Sequence, residues 1–488
     1  MTRPDAAAPW LAPGEATELR ETHSAVVILA GDLAYKFKKP VDLGFLDFRT
    51  EAARRRACRR EVELNRRLAP DVYLDVIRIE GSAGRSLDHG VLMRRMPSRL
   101  RLSTLVTEGV DVRADLRALA GQVAAFHATA RRGSRISAAG RAAALRRRWT
   151  NNLNESQRFC GSVLPALLHA RIADLALAYV DGRADLLAER AAAGLVVDGH
   201  GDLTAEDVFC LPDHPRALDC IEFDDRLRYV DVLDDVAFLA MDLEHLGRPD
   251  LGKLFLRAYL AASEAPTVRT LEHHYIAYRA FVRAKVSCIQ HDQGRPGAAE
   301  QGRRYAELAA EHLQAGQMRL IAVAGPPGTG KTTVAARLAG RLGYRLLSTD
   351  DIRRELHIPA AARYTEAAKT ATYEALLERA SNLLRRGECV VADATWGTAA
   401  SRAAVDQVAT RTRSRFQPLE CRLPSAVAAG RAQARLESGA STSEAGAEVA
   451  GELARQWIGW APATVIDTSG PIDDALAAAV TAVRDHGG

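Results

Sequence analysis

A lysine, two threonines and three glycines stand together in Gly325-Pro326-Pro327-Gly328-Thr329-Gly330-Lys331-Thr332. The apolar run Leu320-Ile321-Ala322-Val323-Ala324 precedes them, and the helix-like Thr333-Val334-Ala335-Ala336-Arg337-Leu338 follows. Strand, glycine loop and helix in that order suit a polyphosphate. Small residues let successive backbone N–H groups turn inward on phosphate oxygens, and the helix N-terminus adds the positive end of its dipole. In this P-loop reading Lys331 reaches the β and γ phosphates of a nucleoside triphosphate and the Thr332 hydroxyl ligates Mg²⁺. Gly325, Gly328, Thr329, Gly330 and Thr333 complete the cradle. The bland reading is a flexible Gly/Pro loop that happens to precede a helix, and the complete pattern with its flanks outweighs it.

Three further groups lie downstream. Tyr344 to Ser348 reads as a strand leading into Thr349-Asp350-Asp351-Ile352-Arg353, and residues at strand C-termini of an α/β sheet face the ligand crevice. Asp350 there could orient or deprotonate an acceptor hydroxyl, and Arg353 could hold an anionic acceptor; the alternative is a helix cap with ordinary surface charges. Cys389-Val390-Val391-Ala392-Asp393 is an apolar strand ending in an acid, the arrangement of a second Mg²⁺-organising carboxylate. Arg431 and Arg435 are four apart, hence on one helix face, where a lid over a transferring phosphoryl group would present them; a solvated face is the alternative.

The first three hundred residues carry their own candidates. His200-Gly201-Asp202-Leu203 is followed by Ile221-Glu222-Phe223-Asp224, an acid in a tight loop and a second acid near a strand. Phosphoryl transfer needs positioning and charge neutralisation, so one carboxylate at the acceptor hydroxyl and another holding Mg²⁺ can suffice. Asp224, Asp225, Asp231 and Asp235 are alternative metal ligands, though most read more simply as loop acids and helix caps.

Positioning these groups requires strands early and helices later. Ser24 to Ala30 and Leu33 to Lys38, joined by Gly31-Asp32, read as a β-hairpin. A helix over about Thr50 to Leu68 follows, then strands at Val72 to Ile79 and Val91 to Met96. Residues 111 to 195 and most of 222 to 316 are helical in pattern, with strands at Leu195 to Val197 and Ala217 to Ile221. His291 to Gly297 reads as a loop. A new strand begins at Arg319, so the domain boundary falls at Gln314 to Gln317.

The 488 residues suffice for about two to four domains. With 47% apolar and 26% charged residues the composition is that of a globular protein, and a net charge of +5 argues against a dedicated nucleic-acid binder. Arginine clusters at Arg54 to Arg56, Arg59-Arg60 and Arg146 to Arg148 read as solvated helix faces. Seven scattered cysteines without a C-x-x-C pair fit reduced thiols in a cytoplasm. Met1 to Pro13 has no basic start and apolar core, so no signal peptide is expected, and no apolar run approaches a membrane span.

The segment from about 318 to 487 resembles the small P-loop kinases of the zeta-toxin, gluconate kinase and polynucleotide kinase group, sometimes labelled AAA-type. Gly325 to Thr332, Asp350 with Arg353, Asp393, and Arg431 with Arg435 carry the likeness. The first part resembles the aminoglycoside phosphotransferase and choline kinase family, on His200-Gly201-Asp202-Leu203 and the acids after it. That resemblance implies Asp202 as catalytic base and Glu222 as the second metal acid. It puts Asp207 where the family has a metal-binding Asn. It implies a phosphate lysine at Lys36, or alternatively Lys38, with Glu61 as ion-pair partner. Met93 to Met96 would be the hinge beside adenine, and Phe126-His127 would lie on a supporting helix. Asp207 adds charge beside the phosphates and Glu222 is a methylene longer than Asp, so either the metal site has shifted or transfer is lost. Thr22, His23 and Ser24 stand where the hairpin would need a glycine loop.

Together the halves resemble a bacterial family of two-domain proteins. The likeness includes Asp42 to Phe48 and Asn65 to Pro70, for which no chemical role follows from the residues; a domain interface or an acceptor site are the options. The expected fold is α/β and α+β. A protein-kinase-like bilobal domain spans 1–312 (N-lobe about 20–97, C-lobe about 98–312), and a P-loop domain with a parallel sheet flanked by helices spans 317–488. The expected activity is ATP-dependent (or GTP-dependent) and Mg²⁺-requiring phosphotransfer to hydroxyls of small molecules, at two nucleotide sites. The alternatives are a single P-loop kinase or ATPase regulated by a degenerate kinase-like sensor, and a nucleic-acid end kinase.

Overall fold

The computed structural model describes residues 17–21, 25–42, 47–80, 86–359, 362, 365–424, 426–428, 430–431 and 457–485. Thr22, His23, Ser24, residues 43–46 and Arg435 lie outside the described residues. By packing, the chain forms two compact units that alternate along the sequence. The first comprises Met1–Ala144, Arg190–Pro266 and Tyr275–Leu308; the second comprises Leu145–Glu189, Thr267–His274 and Ala309–Gly488. The boundary at 312–317 follows the motifs, whereas this partition follows contacts. Within the second unit, for example, a Cβ on Gly182 would stand 2.5 Å from the Thr412 carbonyl oxygen, and fully buried Arg183 donates to that same oxygen.

The first unit opens with five strands: β1 (Thr17–Glu21), β2 (Ala25–Ala30), β3 (Leu33–Lys38), β4 (Tyr73–Glu80) and β5 (Ser86–Arg94). They form one antiparallel sheet in the order β1-β2-β3-β5-β4, with Lys36 opposite Val27 on β2 and Val91 on β5. Side chains alternate along a strand, so Lys36 and Lys38 share a face. Over the sheet lies the helix Glu51–Asn65, started by Thr50, whose hydroxyl accepts the Ala53 N–H at 3.2 Å. Cys58 and Val62 on its inner face pack with Tyr73 and Val91 of the sheet, with Val72 just before it, and with Phe209 and Leu218 from later in the chain. That single core fixes Glu61, one residue before Val62, over the lysine strand.

The rest of the unit is helical, with four short strands: β6 (Val196–Asp198), β7 (Val208–Cys210), β8 (Pro215–Ala217) and β9 (Tyr229–Asp231). β6 pairs with β9 and β7 with β8, both antiparallel, so the segment from His200 to Cys220 is held at both ends. The strand expected over Ala217 to Ile221 ends at Ala217. Asp219 adopts φ 61, which takes the chain out of extended conformation and turns the residues after it. A five-stranded sheet with one crossing helix, followed by a helical lobe with paired short strands, is the protein-kinase-like plan.

The second unit is built on β10 (Arg319–Ala324), β11 (Arg345–Ser348), β12 (Val390–Asp393), β13 (Arg415–Arg422) and β14 (Thr464–Asp467). All neighbours are parallel, in the order β11-β12-β10-β13-β14. β10 and β12 are buried throughout, as apolar runs covered on both faces must be. The helices Lys331–Leu342 and Ile472–Asp485 pack Val334, Leu338 and Ala479 onto Ile321, Val323 and Ile466. Among the described residues no helix is long and apolar enough to cross a membrane.

Candidate functional site

In the second unit the loop Gly325–Gly330 leaves the carboxyl end of β10 and enters the helix Lys331–Leu342 directly, with Gly330 at the N-cap. Gly328 has φ 87, and a Cβ there would stand 2.1 Å from the Ala428 carbonyl oxygen, so only glycine fits. The Thr329 hydroxyl donates to the Pro326 carbonyl at 2.8 Å and closes the turn, while the Thr468 hydroxyl donates to the Thr329 carbonyl at 2.7 Å and braces it from outside. Arg431 donates to the Thr468 carbonyl at 3.0 Å, which places it one residue's contact away from the loop. Its expected partner Arg435 lies outside the described residues.

Asp393 ends β12, opposite Val323 on β10 and Ser348 on β11. It is buried, and its Oδ1 has no hydrogen-bond partner. Burial raises its pKa, against the Lys331 charge and a hydrogen bond from Thr332. An unsatisfied buried carboxylate oxygen beside a lysine and a threonine fits Mg²⁺, which takes one or two protein ligands and leaves the rest to phosphates and water. Asp350 falls in the first turn of the helix Thr349–Glu355, which Ser348 caps, rather than at the strand end. It is ion-paired with Arg353 at 2.7 Å, and Arg353 Nε is buried without a partner.

In the first unit a cleft of about 570 Å³ runs under β2 and β3, with Val27, Leu29 and Ala34 above, Phe209 and Leu218 below, and Met93 to Met96 along one side. Lys36, Asp207 and Asp219 line its polar end. Lys36 Nζ lies 2.8 Å from Glu61 Oε1 and 2.7 Å from Asp219 Oδ1; Lys38 Nζ lies 2.7 Å from Glu61 Oε2 and pairs with Glu222. The two lysines differ in access: the Lys36 side chain is 17% exposed and lines the cleft, whereas that of Lys38 is 2% exposed. Burial works against all three charges, yet their mutual attraction holds Glu61 below the usual carboxylate range and Lys36 well above the usual lysine one.

Glu222, the acid expected to hold the metal, is engaged by Lys38; the acid that joins Lys36 and Asp207 at the cleft is Asp219. The cue that could have found Asp219 is its place two residues past the short strand β8, where a reversal of the chain is due. Asp207 accepts from the Thr204 hydroxyl at 2.8 Å, and burial together with Asp219 and Asp202 pushes its pKa well up.

Asp202 is part-buried and carries a pKa of about 6, raised by burial and by Asp219 while Arg283 opposes. Its loop is anchored from several sides. Asp235 accepts the His200 N–H at 2.7 Å and the Gly201 N–H at 2.8 Å, and His127 Nε2 donates to it at 3.0 Å. Arg279, paired with Asp234 at 2.7 Å, donates to the Gly201 carbonyl at 3.0 Å. His200 donates through Nε2 to the Leu218 carbonyl at 3.0 Å, leaving Nδ1 to accept the Asp202 N–H at 3.3 Å. Gly201 has φ 87 and is crowded by Ile221 and Leu227.

The alternative acids thus have other employment. Asp235 anchors the loop, Asp224 and Asp231 cap helices, and Asp225 pairs with Arg228. Asn65 and Arg67, from a stretch without derivable chemistry, also serve the loop. Asn65 Oδ1 accepts the Cys220 N–H at 2.8 Å, and Arg67 donates to the Asp198 and Gly199 carbonyls at 2.9 Å each. Phe48, from the other such stretch, is buried with the Lys38 ammonium 5.6 Å from its ring centre.

A family model described as an AAA domain matches residues 320–456. Among solved structures, a choline/ethanolamine kinase family protein from Mesorhizobium loti is 16% identical with a TM-score of 0.38, over 62% of this chain and 92% of that one. A gluconokinase from Sinorhizobium meliloti 1021 is 16% identical with a TM-score of 0.27, over 34% of this chain and 92% of that one. The uncharacterised protein Rv2004c of Mycobacterium tuberculosis and its counterpart in Mycobacterium bovis are each 42% identical over 464 residues, 93% of either chain. Sharing that identity across nearly its whole length, this chain belongs to the family of those two mycobacterial proteins.

Proposed function

We propose that the protein is an ATP-dependent phosphotransferase with two nucleotide sites, each moving a γ-phosphoryl group to a hydroxyl of a small molecule. ATP or GTP is the donor. The observation that carries the two-site reading is Lys36, held between Glu61 and Asp219 at the polar end of a cleft large enough for a nucleotide base. A merely structural lysine would have no reason to keep access to such a cleft. The P-loop supplies the second site.

Thr332 and Asp393 in one unit, and Asp207 and Asp219 in the other, are the residues that would hold Mg²⁺. When bound, it neutralises charge on the β and γ phosphates. The chain's own groups do the rest. Lys331 and Lys36 bind and orient phosphate oxygens. Asp202, ionised above a pKa of about 6, accepts the proton of the acceptor hydroxyl as the new O–P bond forms and the bond from the γ-phosphorus to the bridging oxygen breaks, releasing ADP. In the second unit Arg353 leaves its ion pair for an anionic acceptor, which frees Asp350 to meet the hydroxyl.

A second reading is favoured by Asp207, whose extra charge is resisted by its neighbours: the first unit binds nucleotide without transferring it and regulates the P-loop unit. The end-kinase reading would rest on the arginine clusters, and in these Arg54 pairs with Asp88, Arg60 with Glu63 and Asp225, and Arg146 with Asp181. Seven unpaired cysteines favour a reducing cytoplasm as its location. A metabolite-library screen for ATP consumption, run with wild type, Lys331→Ala and Asp202→Ala, tests the proposal. Each variant should lose one activity and keep the other. If Asp202→Ala leaves all transfer intact while Lys331→Ala abolishes it, the regulatory reading replaces the two-site one.

A further inference from the structure

The surroundings of Asp202 hold a cation that the loop itself does not use. Arg279 and Arg283 are one turn apart on the helix Arg269–Asp292, so both face the catalytic loop. Arg279 is committed to Asp234 and to the Gly201 carbonyl. Arg283 is not: among the described residues no carboxylate lies within ion-pairing distance of it, and its Nε is buried without a partner. It rests against Tyr305, engaging its hydroxyl with the guanidinium 5.9 Å from the ring centre, and the Tyr305 ring is stacked at 3.7 Å on His245.

Nearby acids are occupied. Asp242 accepts the Ala205 N–H at 2.8 Å, and Glu206 pairs with Arg101 at 2.6 Å. Arg304, exposed beside Tyr305, also makes no ion pair among the described residues. The acids whose charge acts on Arg283 are Asp202, which the reaction needs for the acceptor, together with Asp242 and Glu206, and none of them comes within ion-pairing distance of it. A part-buried arginine without an ion-pair partner leaves room for an anion to complete it, and its planar fork suits phosphate and carboxylate alike. A polycationic acceptor would meet repulsion at this point.

We infer that the acceptor of the first unit is a hydroxylated anion, its phosphate or carboxylate held by Arg283 with Arg304 at the rim, and its hydroxyl turned to Asp202. This rests on the phosphotransferase reading of that unit and goes beyond it by assigning the acceptor's charge.

Full-length protein carrying Lys331→Ala, so that only the first unit binds nucleotide, is titrated by calorimetry in the presence of ADP and Mg²⁺. The probes are glycerol 3-phosphate, glycerate, glycerol and kanamycin, in parallel with Arg283→Met, Arg283→Lys and Arg304→Met. Binding is expected for one or both anions, the phosphate or the carboxylate arm identifying the group. Arg283→Met should weaken it about tenfold or more, Arg283→Lys less, and Arg304→Met least. Unchanged ADP affinity in each variant certifies its fold. Equal or tighter binding of glycerol or kanamycin, an absence of anion binding, or anion affinity indifferent to Arg283 overturns the inference. Loss of the underlying reading looks different: ADP affinity would then be insensitive to Lys36→Met.

Discussion

Lys36 and Asp219 meet at 2.7 Å although 183 residues separate them in the chain. The contact brings the cation proposed to bind phosphate to an acid that sits beyond β8 with φ 61, while Glu222, to which the resemblance gave the metal, is paired with Lys38. Asp219→Ala in a Lys331→Ala background should therefore lower transfer at least about a hundredfold. Glu222→Gln should lower it less than about tenfold. Steady-state ATP consumption compares the two, and the reverse ranking would return the metal to Glu222.

Lys38 serves stability more than chemistry. Its side chain is 2% exposed and neutralises two acids, so Lys38→Met leaves Glu61 with one partner and Glu222 with none. Removing one member of a buried ion pair costs about 3 kcal/mol. Urea denaturation should show that loss, while ADP affinity measured below the transition stays within about threefold of wild type.

On the proposed mechanism, Asp202 gives transfer by the first unit a pH dependence. Its pKa of about 6 lies above that of an unfolded aspartate, so the ionised base accumulates as pH rises through 6. kcat/KM should climb about tenfold per unit below that value and level off above it. The stability sign is opposite: the protonated form favours the fold, and this contribution is lost as pH rises from about 4 to about 6. Asp202→Asn should abolish transfer and raise Tm at pH 7.5; a lowered Tm would show that the carboxylate is not strained by burial.

Asp235 titrates the other way. Burial opposes its ionisation, but His127, His200 and the loop N–H groups outweigh it and hold its pKa well below the ordinary value. Its stabilisation is thus full above about pH 4 and lost as pH falls further. Asp235→Ala should cost about 3 kcal/mol at neutral pH and flatten the acid limb of the stability profile, read by denaturant titration from pH 3 to pH 7.

Gly328→Ala tests the P-loop backbone without touching a charge. A Cβ placed 2.1 Å from the Ala428 oxygen, at φ 87, forces the loop away from phosphate-binding geometry. ATP affinity of the second unit should fall at least about tenfold with Lys331 still present, and first-unit transfer should persist in the same sample. Wild-type ATP affinity in Gly328→Ala would show that the Ala428 segment can withdraw.

What could be read from sequence follows how local each feature is. The phosphate loop is contiguous because neighbouring backbone amides do the work, so Gly325 to Thr332 announce it. The hairpin carrying Lys36 and the strand ending in Asp393 were equally visible as apolar runs with turns. The residues that fix Asp202 were not, because Asp235, Arg279, Asn65 and Arg67 act across separations that no local pattern encodes. Asp219 was hidden by a stronger-looking neighbour. The alternation of the two packing units was hidden as well, since helices between Leu145 and Glu189 carry no mark of which surface they will cover.

Glu61 is ion-paired with both lysines, one at each oxygen. In a kinase with a single lysine, the helix bearing the glutamate can swing away and strand only one cation, and such enzymes are switched off by that swing. Here the same motion would leave two ammonium groups facing Asp219 and Glu222 alone. Moving the helix Glu51–Asn65 would therefore break two ion pairs at once, which favours its engaged position.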